Sequence, residues 1–316
     1  MTEVVASAPG SIMITGEHAV VYGHPAIVAA IDQRLTVYAS PRQDRVLEIH
    51  STITDPVEVP LDELSASGPL RFVTGTVKAY RESLRHGLRL RIESTIDSTL
   101  GLGSSAAVIA AVSLAAIAST RSDKPVSVAT KLDQQTLHDA HRRGLALIRS
   151  VQGRGSGADL AASLWGGMLS YQLVDSGCTV NHLTTPPPLS LCYCGYKTPT
   201  EQVLETVVRN SKGRENEIEG LYSAMGTCAQ RAIKAAYNED WPIFGRELNH
   251  YQEHMKTLGV SDPRLDELVA SARSHPGNLA AKISGSGLGD CVVAIGGAPE
   301  NFSSSPLAQQ GASFHG

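Results

Sequence analysis

Leu100-Gly101-Leu102-Gly103-Ser104-Ser105-Ala106-Ala107-Val108 is the stretch on which the reading of this 316-residue chain turns. Upstream, residues 88–95 alternate: Leu88, Leu90 and Ile92 fall on one face and Arg89, Arg91 and Glu93 on the other, the period of a half-buried strand. Downstream, the Ala-rich apolar run from Val108 is long enough for a buried helix, and it reaches Ser119 and Thr120 before it could span a bilayer. A glycine- and serine-rich turn that feeds a helix N-terminus exposes backbone N–H groups at the positive end of the helix dipole, a good seat for phosphate. Read alone, Gly-Leu-Gly is an ordinary tight connection with Ser104 or Ser105 as the helix cap. The full Gly-Leu-Gly-Ser-Ser-Ala-Ala between strand and helix favours the phosphate. No lysine follows the glycines, so this is not the P-loop of Gly-x-x-x-x-Gly-Lys-Ser/Thr. A side chain at Gly103 is expected to block the approach of phosphates.

A content of 42% hydrophobic against 18% charged residues leaves ample core, and the length allows two domains around a cleft. The formal charge of −4 argues against nucleic acid or an anionic membrane as the main partner. Cys178, Cys192, Cys194, Cys228 and Cys291 are odd in number and lack C-x-x-C spacing, so they read as reduced thiols of a cytoplasmic protein, without zinc. The first residues, from Met1 to Ala6, have neither the basic start nor the apolar core of a signal peptide.

Short strands are expected at 3–6, 11–15 and 36–39, with a turn at Pro9-Gly10, then a helix over 70–85 and another over 133–151. The prolines at 186–188 cannot sit inside a central strand or helix, and the domain boundary is expected a little before them, giving units 1–172 and 173–316. The second half predicts a strand at 189–195, helices at 200–210, 216–237, 242–258 and 263–274, and strands at 280–284 and 291–295 around a glycine turn. The last dozen residues are polar and expected to be loosely held.

Three further segments carry candidate chemistry. Near the start, Ala8-Pro9-Gly10-Ser11-Ile12-Met13-Ile14-Thr15-Gly16-Glu17-His18-Ala19-Val20-Val21-Tyr22-Gly23 releases Glu17 and His18 into a loop after a short strand. In Gly153-Arg154-Gly155-Ser156-Gly157-Ala158-Asp159, glycines on both sides expose Asp159 to a cleft, where a carboxylate can take a hydroxyl proton; alone, such an Asp is more often a helix N-terminal residue. In Lys282-Ile283-Ser284-Gly285-Ser286-Gly287-Leu288-Gly289-Asp290-Cys291, three glycines between apolar strands form a tight turn.

Together with the glycine loop, these segments resemble, in order, the motifs of the GHMP kinases, a family that includes galactokinase, homoserine kinase, mevalonate kinase and phosphomevalonate kinase. The resemblance covers nearly the whole chain. It implies an α+β fold of two domains, an N-terminal ribosomal protein S5-like nucleotide domain and a C-terminal ferredoxin-like domain. It implies ATP on Gly101, Leu102, Gly103, Ser104, Ser105, Ala106 and Ala107, Mg²⁺ on Ser105, and Asp159 as the catalytic residue. Glu17, His18, Lys197, Thr200, Gly285 and Gly287 would face a small substrate, and a homodimer is expected.

Gly16-Glu17-His18 resembles mevalonate kinases, whereas Gln152-Gly153-Arg154-Gly155-Ser156-Gly157 and Gly289-Asp290-Cys291 lean toward phosphomevalonate kinases, with Arg154, Lys197 and Lys282 as candidate cations for a substrate phosphate. The expected reaction is phosphorylation of the primary hydroxyl of mevalonate. The alternatives are phosphomevalonate as acceptor and a binding protein with little turnover. The chain departs from the family pattern twice. Ser11 stands where the family has a lysine beside the transferred phosphate, and Ile148 stands where mevalonate kinases carry a magnesium-binding glutamate. Lys197 is the candidate replacement for the missing charge.

Overall fold

Strand β1 (Val4–Thr15) runs unbroken through Pro9-Gly10, where a turn was expected. The register against β2 (Ala26–Pro41) slips between Pro9 and Gly10, so the pair forms a bulge. A bulge is one of the few places inside a sheet that accepts proline, because the extra residue needs no ladder bond. The computed structural model of the chain describes residues 3–97, 99–120, 132–175 and 177–315; the first two residues of the expected leader-free start lie outside that range.

The first sheet has eight strands. Beyond β1 and β2 it contains β3 (Val46–His50), β4 (Val57–Pro60) and β5 (Leu88–Ser94), in the order β12-β1-β2-β5-β3-β4, with the hairpin β6 (Met168–Val174) and β7 (Gly177–Leu183) branching from β2. Among the described residues only β3 and β5 pair in parallel. Helix α1 (Arg71–Tyr80) is shorter than expected, because a 3-10 turn, Arg81–Ser83, takes over at its end. Helices α2 (Ser104–Thr120), α3 (Gln134–Gln152) and α4 (Ala158–Trp165) complete this half. Helix α2 is apolar around its whole circumference because it is packed between β1, β2, α1 and α4, and most of its residues are buried.

The second sheet is antiparallel, β11-β8-β10-β9, formed by β8 (Leu189–Tyr193), β9 (Asn278–Ser284), β10 (Cys291–Gly296) and β11 (Ser303–Ser304). Between β8 and β9 lie α5 (Thr200–Ser211), α6 (Glu215–Tyr237), α7 (Trp241–Leu258) and α8 (Pro263–Ser274), close to the four expected helices. Their ends are set by local chemistry. Asp240 and Asp262 cap α7 and α8 through backbone amides, each ahead of a proline in the first turn, and Gly259 closes α7 in the left-handed conformation.

The expected division after Gln172 falls inside β6, and the chain passes from the first sheet to the second through the prolines between Leu183 and Leu189. The tail is not loosely held. Ala308, Ala312 and Phe314 are buried, and β12 (Ser313–His315) adds a strand to β1. Apolar residues scattered among the polar ones give it a core face that composition averaged away. No helix among the described residues is long and apolar enough to cross a membrane.

Candidate active site

The bulge in β1 presses the strand against the glycine loop. Ser11 N–H donates to Leu102 O at 3.0 Å, and the Ser11 hydroxyl donates to Asp159 Oδ1 at 2.9 Å. Three segments far apart in sequence thus meet at Ser11, which is wholly buried. Gly103 supplies both N-terminal capping carbonyl bonds of α2, to Ala106 and Ala107, so the cap is a glycine and not Ser104 or Ser105. Its φ is +59°, and a Cβ built there would lie 1.9 Å from Ser11 Oγ. A side chain at Gly103 would therefore strike β1 directly, rather than simply obstruct phosphates as expected. None of the backbone amides from Gly101 to Ser105 finds an acceptor within the protein among the described residues. The Ser105 hydroxyl is half-buried at the first turn of α2 and also lacks a protein partner there. Ala106 and Ala107 are buried and pack α2 into the core.

Asp159 stands in the first turn of α4, behind Gly157, which takes φ +79°. Its walls are protein while its mouth is open to water. Crowding by the protein raises its pKa above the usual aspartate value of 3.8, and the Ser11 hydrogen bond and the Lys197 charge pull it back. A carboxylate in that state is a base that water or a bound hydroxyl can reach.

The opposite wall is sealed. Glu17 and His18 are buried, and Lys282 reaches across to Glu17 Oε1 and to its neighbour's carbonyl, Ile283 O, while lying over the Tyr251 ring at 5.5 Å. Burial raises the Glu17 pKa despite Lys282, and burial lowers that of Lys282 despite Glu17. His18, at φ 60°, meets Ser286 O at 2.8 Å through Nε2, and burial lowers its pKa, so it is a neutral ring. The charge of Lys282 is spent inside the protein, which removes it from the cations that could meet a substrate phosphate.

The third glycine turn is held from two sides. Gly287 packs with the position of a Cβ 2.2 Å from Val260 O, and Leu288 N–H donates to that same carbonyl at 2.8 Å. Gly287 is therefore required by contact with the turn after α7. Asp290 N–H donates to Tyr196 O, the Thr198 hydroxyl donates to Leu288 O, and Lys197 Nζ lies 3.2 Å from Asp290 Oδ1. Thr200 is exposed at the start of α5. The structure thus gathers Ser11, the glycine loop, Asp159 and Lys197; Glu17, His18 and Lys282 form a separate buried cluster, and Arg154 is exposed.

Ile148, at the position where the family pattern has a magnesium-binding glutamate, packs on the core, and its Cγ2 would lie 2.6 Å from a Cβ at Gly155. The two oddities of this region, a glycine for proline at 155 and an isoleucine for glutamate at 148, are therefore one arrangement: the isoleucine fills the space the glycine leaves. Among the described residues no cluster of three or more His, Cys, Asp or Glu side chains could hold a metal by itself.

Two family patterns match the chain: GHMP kinases N terminal domain over residues 71–167 and GHMP kinases C terminal over 232–309. A mevalonate kinase of Thermococcus onnurineus (strain NA1) is 32% identical over 320 aligned residues, covering 95% of this chain and 90% of that protein. Among solved structures, a protein from Listeria innocua superposes with a TM-score of 0.84 at 21% identity, over 99% of each chain. The Methanococcus jannaschii mevalonate kinase superposes with a TM-score of 0.70 at 20% identity, over 93% of this chain and 90% of that one.

Proposed function

This chain belongs to the GHMP kinases, within them to the mevalonate kinase family, and from that premise we propose that it transfers the γ-phosphoryl group of ATP to the primary hydroxyl of mevalonate. The observation that carries the reading is the meeting of Asp159, Ser11 and the unpaired amides of the glycine loop at one open cleft.

Asp159 takes the hydroxyl proton. The alcohol oxygen forms a bond to the γ-phosphorus as the bond to the β–γ bridging oxygen breaks, and that electron pair leaves with ADP. Such a transfer is mostly positioning and charge neutralisation. The amides from Gly101 to Ser105 receive the phosphates at the positive end of α2. Ser11 holds one carboxylate oxygen of Asp159 and so fixes the direction of the other. Glu17 and His18 shape the substrate wall, with Glu17 acting through the lysine it binds.

The Ser105 hydroxyl is an oxygen donor of the kind a hard cation takes, so Mg²⁺ would rest on Ser105, nucleotide oxygens and water, and would neutralise phosphate charge when bound. Lacking a further protein carboxylate at Ile148, the chain leaves most of the coordination to the nucleotide and water. Five unpaired cysteines agree with a cytoplasmic setting.

The acceptor is tested by a coupled assay of ADP release with mevalonate, phosphomevalonate and diphosphomevalonate. The highest kcat/KM is expected with mevalonate, because the buried Lys282 cannot serve a second phosphate. A tenfold preference for phosphomevalonate, about 1.4 kcal/mol in transition-state binding, would overturn the assignment.

A further inference from the structure

We propose that Lys197 is the cation that meets the transferred phosphoryl group, and that Asp290 is the residue that positions it. The inference rests on the kinase reading above and names a part of the machinery that reading leaves open.

Asp290 is built to aim a carboxylate. It takes φ 64°, a conformation costly for a residue with a side chain. It is held there by two backbone bonds of 3.0 Å, its N–H to Tyr196 O and its carbonyl from Cys194 N–H. Its neighbour Cys291 donates through Sγ to Leu100 O at 3.2 Å; burial pushes that thiol up to about 12, so it stays protonated and can donate. These bonds lock the third glycine turn, the 194–198 segment and the start of the glycine loop together.

The carboxylate then lies against the phosphate seat. Asp290 Oδ1 is 3.3 Å, and Lys197 Nζ 3.8 Å, from the point a Cβ on Gly101 would occupy. A lone carboxylate so close to a triphosphate would repel it, and a carboxylate with a lysine on it does not. Lys197 Nζ is within 3.2 Å of Oδ1, yet Oδ1 receives no directed hydrogen bond. The ammonium therefore keeps its N–H donors for another anion. An exposed lysine beside a surface carboxylate would ordinarily mean little. Here the carboxylate is buried and conformationally strained, and only the lysine is half-exposed, on the cleft side.

Lys197 also stands close enough to Asp159 for its charge to act on that carboxylate. Its charge thus acts on the group that takes the proton, and its Nζ borders the loop that seats the phosphates. Other cations are placed elsewhere: Lys282 is sealed against Glu17, and position 11 carries a neutral hydroxyl. During transfer the ammonium would bind oxygens of the γ-phosphoryl group while the alcohol–phosphorus bond forms and the bridging bond breaks. It gains and loses no atom.

The test compares Lys197→Met, Lys197→Arg and Asp290→Asn with the unsubstituted enzyme, measuring kcat, KM, ATP affinity by calorimetry, melting temperature and the pH dependence of kcat. Lys197→Met should lower kcat about tenfold or more, the scale of a lost charge-stabilising contact, with the KM for mevalonate little changed. It should also move the acid limb to higher pH, because Asp159 then loses the positive charge that lowers its pKa and keeps only the Ser11 hydrogen bond. Lys197→Arg should recover most of kcat, and Asp290→Asn should show a smaller loss. A purely structural role would lower the melting temperature of the methionine variant and leave the acid limb in place. Full kcat with an unmoved limb in Lys197→Met overturns the proposal, and if Asp159→Asn is dead in the same series, the kinase reading survives that failure. If the wild type phosphorylates neither mevalonate nor phosphomevalonate, the kinase reading fails. The inference rests on that transfer and falls with it.

Discussion

Two carboxylate–lysine pairs flank the cleft, and they differ in almost everything but charge. Glu17 and Lys282 are both nearly inaccessible, with side-chain exposures of 2% and 1%, whereas Lys197 is 48% exposed beside an Asp290 that is 11% exposed. A sealed pair has paid its desolvation cost at folding and has nothing left for a ligand. In the half-open pair the exposed ammonium can reach a phosphate while it stays beside the buried Asp290 carboxylate. The sealed pair reads as architecture, the open one as chemistry, and Asp159 sits on the open side.

The largest break in that contrast is Asp159→Asn. Removing the proposed base should cost about 10²–10⁴-fold in kcat, with KM and the melting temperature little changed, as seen in steady-state kinetics and calorimetry. On the sealed side the effect should have the opposite character. Lys282→Met leaves Glu17 as an unpaired buried charge and should destabilise the fold by about 3–5 kcal/mol, measured by denaturant unfolding. Adding Glu17→Gln should return a large part of that loss, because the orphaned charge is then gone. A Lys282→Met enzyme of wild-type stability would erase the distinction between the two walls.

The smallest effect belongs to Ser11→Ala. It deletes one hydrogen bond to the ionised form of Asp159, so kcat should fall only several-fold, in the range of a net hydrogen bond of about 0.5–1.5 kcal/mol. The sign of the pH effect follows from the same bond. The bond lowers the Asp159 pKa; without it the base protonates at higher pH, and the acid limb of kcat moves upward.

The parts of the fold legible in the sequence are those written locally. The ends of α7 and α8 carry Asp, Pro and Gly at cap positions, and the helices fall where those residues put them. The alternation of 88–95 became β5. The strand β1 was read as two pieces because Pro9-Gly10 is turn chemistry, and only pairing with β2 turns it into a bulge. The order of the tail is hidden in the sequence for a similar reason, since its strand depends on the free edge of β1.

At the site, Asp159 and the glycine loop were visible because glycines flank them in sequence. The commitment of Glu17 to Lys282, 265 positions apart, was not, and neither was the hold of Asp290 on Lys197. Nor could the sequence show that Ile148 and Gly155 complement each other. Each depends on contacts between side chains that chain order does not reveal.

The most direct test of a base poised on the open side is the pH dependence of phosphoryl transfer to mevalonate in a single turnover, where product release does not intrude. The wild type should lose rate as pH falls through one acid limb lying above the ordinary aspartate value of 3.8, and the residual rate of Asp159→Asn should lack that limb. An identical limb in both enzymes would contradict the account, because the titrating group would then be something other than Asp159.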